Sequence, residues 1–534
     1  MKKVLALLLA LVMVLGLAAC ATKEVPAKTD EPAPADTANT ETTEQTSADA
    51  SDAAEPVTIK IWFHGSNVTP EASEKVMAEL NPYLNEKIGV TLDPIWGTWG
   101  DFDTSTVTAL AGGDDVDIYF TCNWSADEYN KYARDGYWVK LDDMLATDAP
   151  ELLATIPEGI WECARTNGLD GMGIYAVPGL KDTATQNCWD VNGTLLAELG
   201  YDVDAVCASG LDYYSDEYEE MLQKAKDAKG GDFYPLLIEP AVLERLVTHT
   251  SIVTGDLNGG NVLSYYYDAE HPSKDIGSTI VNKFATDEFK KFADRTYYYA
   301  QKGFISPSCQ SVATANDYRT ACQSTGEYLF CTQSYAFGCE LDFSKARGID
   351  VRMVPATAAY MDCTSGQGAM MAISATSKNP DKALQFLNLL NTDPVVMTYV
   401  NYGAEGFTYN KNSDGTITFI DDARAAYTPW TNGVGNVRIL PPTSDQGADF
   451  WQRFSAYYDA AETLPYGGFI FDSSVCETEA AALANVWAEY AFNLMSGAVN
   501  PDDVLPEFLS KLEAAGINTF VDAANEQMNA YLAG

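Results

Sequence analysis

An α/β fold is the class this 534-residue chain predicts, on three observations. Alternating and helix-spaced apolar runs take turns from Val57 onward, strand candidates end in tryptophan or asparagine, and enough chain follows for several layers. Residues 57–62 (Val-Thr-Ile-Lys-Ile-Trp) alternate as a strand. Residues 71–87 place Val76, Met77, Leu80, Tyr83 and Leu84 at helical spacing, and 90–95 return to strand. A second helix over 102–111 and a strand over 116–120 complete strand, helix, strand, helix, strand. That order predicts a parallel sheet flanked by helices, with ligands bound beyond the carboxyl ends of its strands.

Those ends are aromatic and polar: Trp62-Phe63-His64-Gly65-Ser66-Asn67, Trp96-Gly97-Thr98-Trp99-Gly100-Asp101 and Thr121-Cys122-Asn123-Trp124. Flat apolar rings beside fixed donors and acceptors suit sugars, whose C–H faces stack while their hydroxyls need partners. The competing reading is that these tryptophans fill core at the sheet edge.

Ahead of the α/β part, Met1-Lys2-Lys3 leads into an apolar run from Val4 to Leu17 and then Ala18-Ala19-Cys20. A short basic end, an apolar segment and small residues before a cut form an export leader, and the run is too short for the ~20 residues of a membrane span. The cysteine directly after the small pair resembles the lipobox of bacterial lipoproteins. That resemblance implies a leader over 1–19 and lipid on Cys20, with the mature protein anchored at the extracellular face of the cell membrane. Residues 20–55, rich in Thr, Glu, Ala, Pro and Ser, hold too little apolar surface to offset the entropy of ordering and are expected to be a disordered tether.

The net charge is −43, and two units more negative once Lys2 and Lys3 leave with the leader. Such a surface repels nucleic acid and anionic headgroups. Eleven cysteines are present. Setting Cys20 aside leaves an even number, which permits disulfides in an exported chain, but their spacing is irregular and no Cys-x-x-Cys pair suggests zinc or redox chemistry.

Longer stretches carry a family resemblance. Asn81-Pro-Tyr-Leu-Asn-Glu-Lys-Ile-Gly-Val90, Tyr132-Ala-Arg-Asp-Gly136 leading to Leu141-Asp-Asp-Met-Leu145, Gly173-Ile-Tyr-Ala-Val-Pro178 and Gly368-Ala-Met-Met-Ala-Ile-Ser with its following Asn-Pro helix start resemble extracellular solute-binding lipoproteins of carbohydrate-uptake ABC transporters. Tyr402-Gly-Ala-Glu-Gly406, Trp430-Thr-Asn-Gly-Val-Gly-Asn436, Gly468-Phe-Ile-Phe-Asp472 and Lys511-Leu-Glu-Ala-Ala-Gly-Ile517 before Gln527 resemble the subgroup with a C-terminal domain of unknown function. The resemblance implies a two-lobed, periplasmic-binding-protein-like fold with hinge crossovers: lobe one over 56–183, lobe two over 184–364, a return to lobe one over 365–440, and a mostly helical part over 441–534 packing on lobe two. It further implies hinge closure on a ligand, an oligosaccharide by the aromatic chemistry above, with permease subunits as partners, a monomer and no cofactor.

The same residues bear on competing functions. A secreted glycoside hydrolase needs two placed carboxylates, and none stands out in so acidic a chain. With three histidines and no Gly-x-Ser-x-Gly elbow, phosphate loop, dinucleotide fingerprint or zincin motif, no catalytic residue is expected. An importer component for peptides or another non-sugar solute is the remaining alternative. Residues 410–421, Asn-Lys-Asn-Ser-Asp-Gly-Thr-Ile-Thr-Phe-Ile-Asp, place oxygen ligands as a calcium loop would, but Asp-Gly between extended residues reads more simply as a hairpin turn, so no metal is expected.

The expected ligand contacts are Trp62, His64, Trp96, Trp99, Asn123 and Trp124 from lobe one and Trp189 from lobe two, where the resemblance pairs it with Asn192. Glu405, Tyr409, Trp430 and Asp472 follow, because they combine aromatic and polar chemistry in the subgroup-like segments. Trp451 and Trp487 sit in helical patterns that suit core. Lys181 and Arg165 are expected to be solvated or salt-paired.

Overall fold

The structure, a computed structural model, describes residues 56–257 and 260–533. The expected leader over 1–19, the expected lipid site at Cys20 and the expected tether over 20–55 lie outside the described residues. No helix among the described residues is long and apolar enough to cross a membrane.

The strand Val57–Phe63 buries Ile59, Ile61 and Phe63 on one side, as its alternation requires. It pairs in parallel with Val90–Trp96 (Ile59 opposite Leu92) and with Ile118–Thr121 (Ile61 opposite Ile118). Between the first two runs the helix Pro70–Ile88. Thr69 accepts the Ala72 N–H at its start, Pro70 occupies its first turn, and Gly89 closes it at φ 67°. Val76, Leu80 and Leu84, four residues apart, are its buried face.

The sheet is completed from far along the chain. Met370–Ile373 enters antiparallel beside Ile118–Thr121, and Val177–Pro178 pairs antiparallel on its other edge. A second sheet has the order Val351–Pro355, Asn187–Asn192, Phe330–Ser334, Leu236–Leu237. The described part therefore holds two apolar cores, one around each sheet.

Three segments connect them, and they lie side by side. Thr185 and Tyr360 exchange both backbone hydrogen bonds, at 2.7 and 2.9 Å, and Tyr360–Met361 pairs in parallel with Glu462–Thr463. This ribbon is the hinge. The helix Phe450–Asp459, expected with the lobe-two-packing C-terminal part, instead puts Phe450, Phe454 and Tyr458 into the first core, because it precedes the third crossing. From Leu464 onward the buried residues belong to the second core.

The C-terminal helices Glu477–Met495, Pro501–Ala514 and Ile517–Leu532 enter that core through Leu483, Leu494, Phe508, Leu512 and Phe520. They are clipped on by backbone: the Phe471 N–H donates to the Thr254 carbonyl at 2.8 Å. Gly255 beside it has φ 86°, and a Cβ there would lie 2.1 Å from the Phe471 carbonyl oxygen. Both the left-handed backbone and the close approach require glycine. Gly255→Ala is expected to lower stability by about 2–4 kcal/mol in urea melts while leaving the far-ultraviolet spectrum of the folded state unchanged.

Candidate functional site

The strand ends deliver their aromatic residues to one place. Trp99 rides on the turn before the helix Phe102–Gly112, where the Thr98 N–H and hydroxyl both donate to Asp101 Oδ1 at 2.8 and 2.7 Å. Its ring packs closely on Gly65, where a Cβ would come within 2.7 Å. Trp124 follows Ile118–Thr121, and its indole N–H donates to the Gly368 carbonyl at 2.8 Å. Asn123 donates its amide to the Thr364 carbonyl at 3.0 Å, so both side chains are held by the returning chain. Trp430 comes from a loop more than 300 residues away. The three indoles have centroid separations of 5.0 to 6.2 Å.

His64 lies beneath all three, at 4.5 Å from Trp99, 5.5 Å from Trp124 and 5.8 Å from Trp430, with Phe102 at 4.0 Å behind it. Burial pushes its pKa down to about 4, against the opposing pull of Asp103 and Asp101. Its Nδ1 has no partner among the described residues. His64 is thus a neutral ring that props the tryptophans. Trp99 and Trp124 remain 57 % and 49 % exposed. Large rings left in water at one spot mark a binding surface.

Three cavities, of about 500, 450 and 690 Å³, open along this surface. The first and second share Trp430 and Asp182, and the second and third share Asn123, Trp124, Arg245 and Ile252, so they form one continuous cleft. Tyr360 of the hinge ribbon lines its middle.

Polar groups there are sparse and specific. Lys181 pairs with Asp182, in keeping with the salt-paired expectation, and Arg165 pairs with Asp142 and Glu162 elsewhere. Asp362 Oδ1 accepts from the Ser365 N–H and hydroxyl, each at 2.9 Å, and burial raises its pKa. Arg245 makes no ion pair among the described residues. Sequence reading missed Asp182, Asp362 and Arg245 as cleft residues. The sole signal was that the chain leaves lobe one near Lys181 and comes back near Cys363.

Other expected contacts are placed elsewhere. Trp62 stacks on Tyr119 at 6.0 Å, and Trp96 stacks on Phe63 at 4.7 Å with its N–H donated to Ser73 Oγ, so both are framework. Trp189 is fully buried in the second core against Tyr213 and Tyr218, because every residue of its strand is covered on both faces. Glu405 pairs with Lys411 on the surface, Tyr409 is buried in the first core, and Asp472 caps the turn Ser473–Cys476. None of these six lines the cleft.

The 410–421 segment is a hairpin of Tyr409–Lys411 and Ile417–Phe419, with Asp414 Oδ1 accepting from the Thr416 N–H and hydroxyl. No group of three His, Cys, Asp or Glu side chains among the described residues could hold a metal ion. The ten described cysteines are free thiols.

Comparison with known proteins fits this geometry. The crystal structure of the N-glycan transport solute binding protein NgtS from Streptococcus pneumoniae superposes with a TM-score of 0.72 at 24 % identity, covering 90 % of this chain and 99 % of that one. The same protein in complex with Man5GlcNAc gives 0.68 at 23 %, covering 89 % and 98 %. The chain has the two-lobed solute-binding-protein fold. A family model described as a domain of unknown function, DUF3502, matches residues 465–533, so this example of the fold carries the expected C-terminal domain. A carbohydrate ABC transporter substrate-binding protein from Streptococcus pneumoniae serotype 4 is 25 % identical over 483 residues, which are 90 % of this chain and 91 % of that protein.

The buried imidazole makes a pH-dependent contribution whose sign is fixed. Unfolded His64 takes up a proton below its ordinary pKa of 6.5, whereas the folded ring does not until about 4, so stability is lost as pH falls through that window. His64→Phe is expected to lose about 2–3 kcal/mol less than the wild type between pH 7 and 4.5, measured by parallel chemical melts. Equal losses would show that the imidazole titrates normally.

Proposed function

We propose that this protein captures an oligosaccharide at the extracellular face of the membrane and hands it, by hinge closure, to the permease subunits of an ABC importer. The observation that carries the reading is the group of three indoles, exposed Trp99 and Trp124 with half-buried Trp430, at the centre of a continuous cleft lined from both cores beside the three crossing segments. Stacking rings supply affinity for C–H faces, and Asp182, Asp362, Arg245 and Asn123 supply paired hydrogen bonds to hydroxyls. A cleft assembled from three cavities suits several linked sugars rather than one.

The names of the similar proteins support the same reading: one is called a carbohydrate ABC transporter substrate-binding protein, and NgtS was crystallised with mannose-GlcNAc glycans. Binding and release without turnover is the role proposed here, by a monomer that needs no cofactor. Closure would bring Arg245 and the second-core wall onto a sugar already stacked on the tryptophans, and the permease would read the closed shape. Lipid on Cys20 and the tether over 20–55 keep the protein near its transporter.

Two experiments test this. Chains starting at Thr22 are screened by thermal shift against mannosyl-GlcNAc, malto- and fructo-oligosaccharides and against peptides. A ligand at a hundredfold excess over its Kd adds ~2.7 kcal/mol. Trp99→Ala and Trp124→Ala are each expected to weaken the best sugar by ~1–3 kcal/mol, and full affinity in both folded variants would remove the tryptophans from the site. Hydrolysis of the glycan would favour an enzyme, and stabilisation by peptides alone would overturn the sugar assignment. For the anchor, Cys20→Ala is expected to move the protein from the membrane fraction to the medium or the soluble fraction, with loss of the lipid mass on the mature N-terminus. An unchanged membrane fraction would overturn lipid anchoring.

A further inference from the structure

The third cavity runs past Trp124 into the segment matched by DUF3502, where it is lined by Ser473 and Trp487. We infer that this cavity is an additional sugar subsite and that the C-terminal domain, through Trp487, extends the recognised ligand beyond the residues held at Trp99, Trp124 and Trp430. This inference rests on the oligosaccharide reading above.

Trp487 departs from the pattern of its own helix. Its neighbours Leu483, Tyr490 and Leu494 are buried in the second core, while Trp487 is only half buried and lines the cavity. The backbone of Gly260 covers the indole, since a Cβ there would come within 2.7 Å of the ring, so the ring is fixed in place. Its N–H has no acceptor among the described residues.

Two more polar groups of the same cavity lack partners among the described residues. Asn261 Oδ1 accepts from Lys283 Nζ at 3.1 Å, and Lys283 is held by Glu244 at 3.0 Å in a pair buried on both sides. That ammonium has no lone pair to offer, so it fixes which end of the Asn261 amide is oxygen and leaves the NH₂ without an acceptor. Asp256 is 4 % exposed; its Oδ2 accepts the Val262 and Leu263 N–H groups at 2.6 and 2.7 Å, and its Oδ1 accepts nothing among the described residues.

Two donors and one acceptor, all buried, therefore line one cavity without partners among the described residues. Other buried polar atoms of the chain are also unpartnered, but three of them converge on this cavity, and a cluster of orphans beside open space marks a place where a ligand completes them. Sugar hydroxyls both donate and accept, so a single pyranose satisfies a mixed set that neither an anion nor a hydrocarbon would. Arg245, at the boundary of the second and third cavities, makes the subsite continuous with the indole group.

The test is a chain-length comparison by calorimetry. Paired probes are Man1GlcNAc against Man5GlcNAc, and two-residue against six-residue malto- and fructo-oligosaccharides. Trp487→Phe keeps an aromatic face but loses the pyrrole part of the indole and its N–H, and Trp487→Leu removes the ring; far-ultraviolet spectra and melts check that each folds. Both are expected to weaken the long member of the bound series five- to tenfold and the short member less than twofold, whereas Trp99→Ala weakens both members. Equal changes for short and long members, or none, would overturn the subsite while leaving the oligosaccharide reading intact. Binding of no series by the wild type would overturn that reading and the subsite with it.

Discussion

The architecture depends on one small piece of backbone pairing, the ribbon in which Thr185, Tyr360–Met361 and Glu462–Thr463 lie hydrogen-bonded side by side. Each segment carries the chain from one core to the other, so each is short and under no obligation to form a sheet of its own. Pairing them satisfies their amide and carbonyl groups, while Tyr360 anchors the ribbon in the second core and Met361 packs on the first. The space beside the ribbon is where the two cores face each other, and hinge closure as proposed would be felt there.

The aromatic group at that space breaks the ordinary preference for burial. Trp99 and Trp124 hold roughly half of their surface in water, on a base of His64, Phe102 and Phe120 that is itself fully packed. Each ring is fixed by something other than burial: Gly65 under Trp99, the Gly368 carbonyl on the Trp124 indole, Gly433 against Trp430. Rings already immobilised lose little entropy when a ligand stacks on them. The protonation state of His64 matters to the same end, because an imidazolium under three indoles would need counter-charge and water.

How much of this was legible follows from the range of the interactions. The first sheet declared itself through period-two and period-3.6 patterns, and the expected helix over 71–87 lies within Pro70–Ile88. The placement of Trp99, Asn123 and Trp124 followed from strand ends, a local property. Trp189 could not be placed because its strand has no exposed face, so no alternation separates inward from outward residues. Trp62 and Trp96 were drawn to the site by sequence adjacency, although both rings face framework partners. Arg245 and Asp362 reach the cleft from helix and crossing segments whose position is set by the second core, information that no local pattern carries. The expected boundary at residue 441 failed for a related reason: the third crossing comes at Glu462–Thr463, and nothing in composition marks it.

The late arrival of Met370–Ile373 in the first sheet sets a timetable for the chain's birth. A ribosome releases residues 57–178 with their sheet lacking an inner strand, and roughly two hundred further residues must emerge before that strand can be inserted between Ile118–Thr121 and Val177–Pro178. Closing so long a loop is entropically slow. Until then the first lobe stays an unfinished sheet, and the order in which the two cores close is set by the chain's own connectivity rather than by the strength of either core.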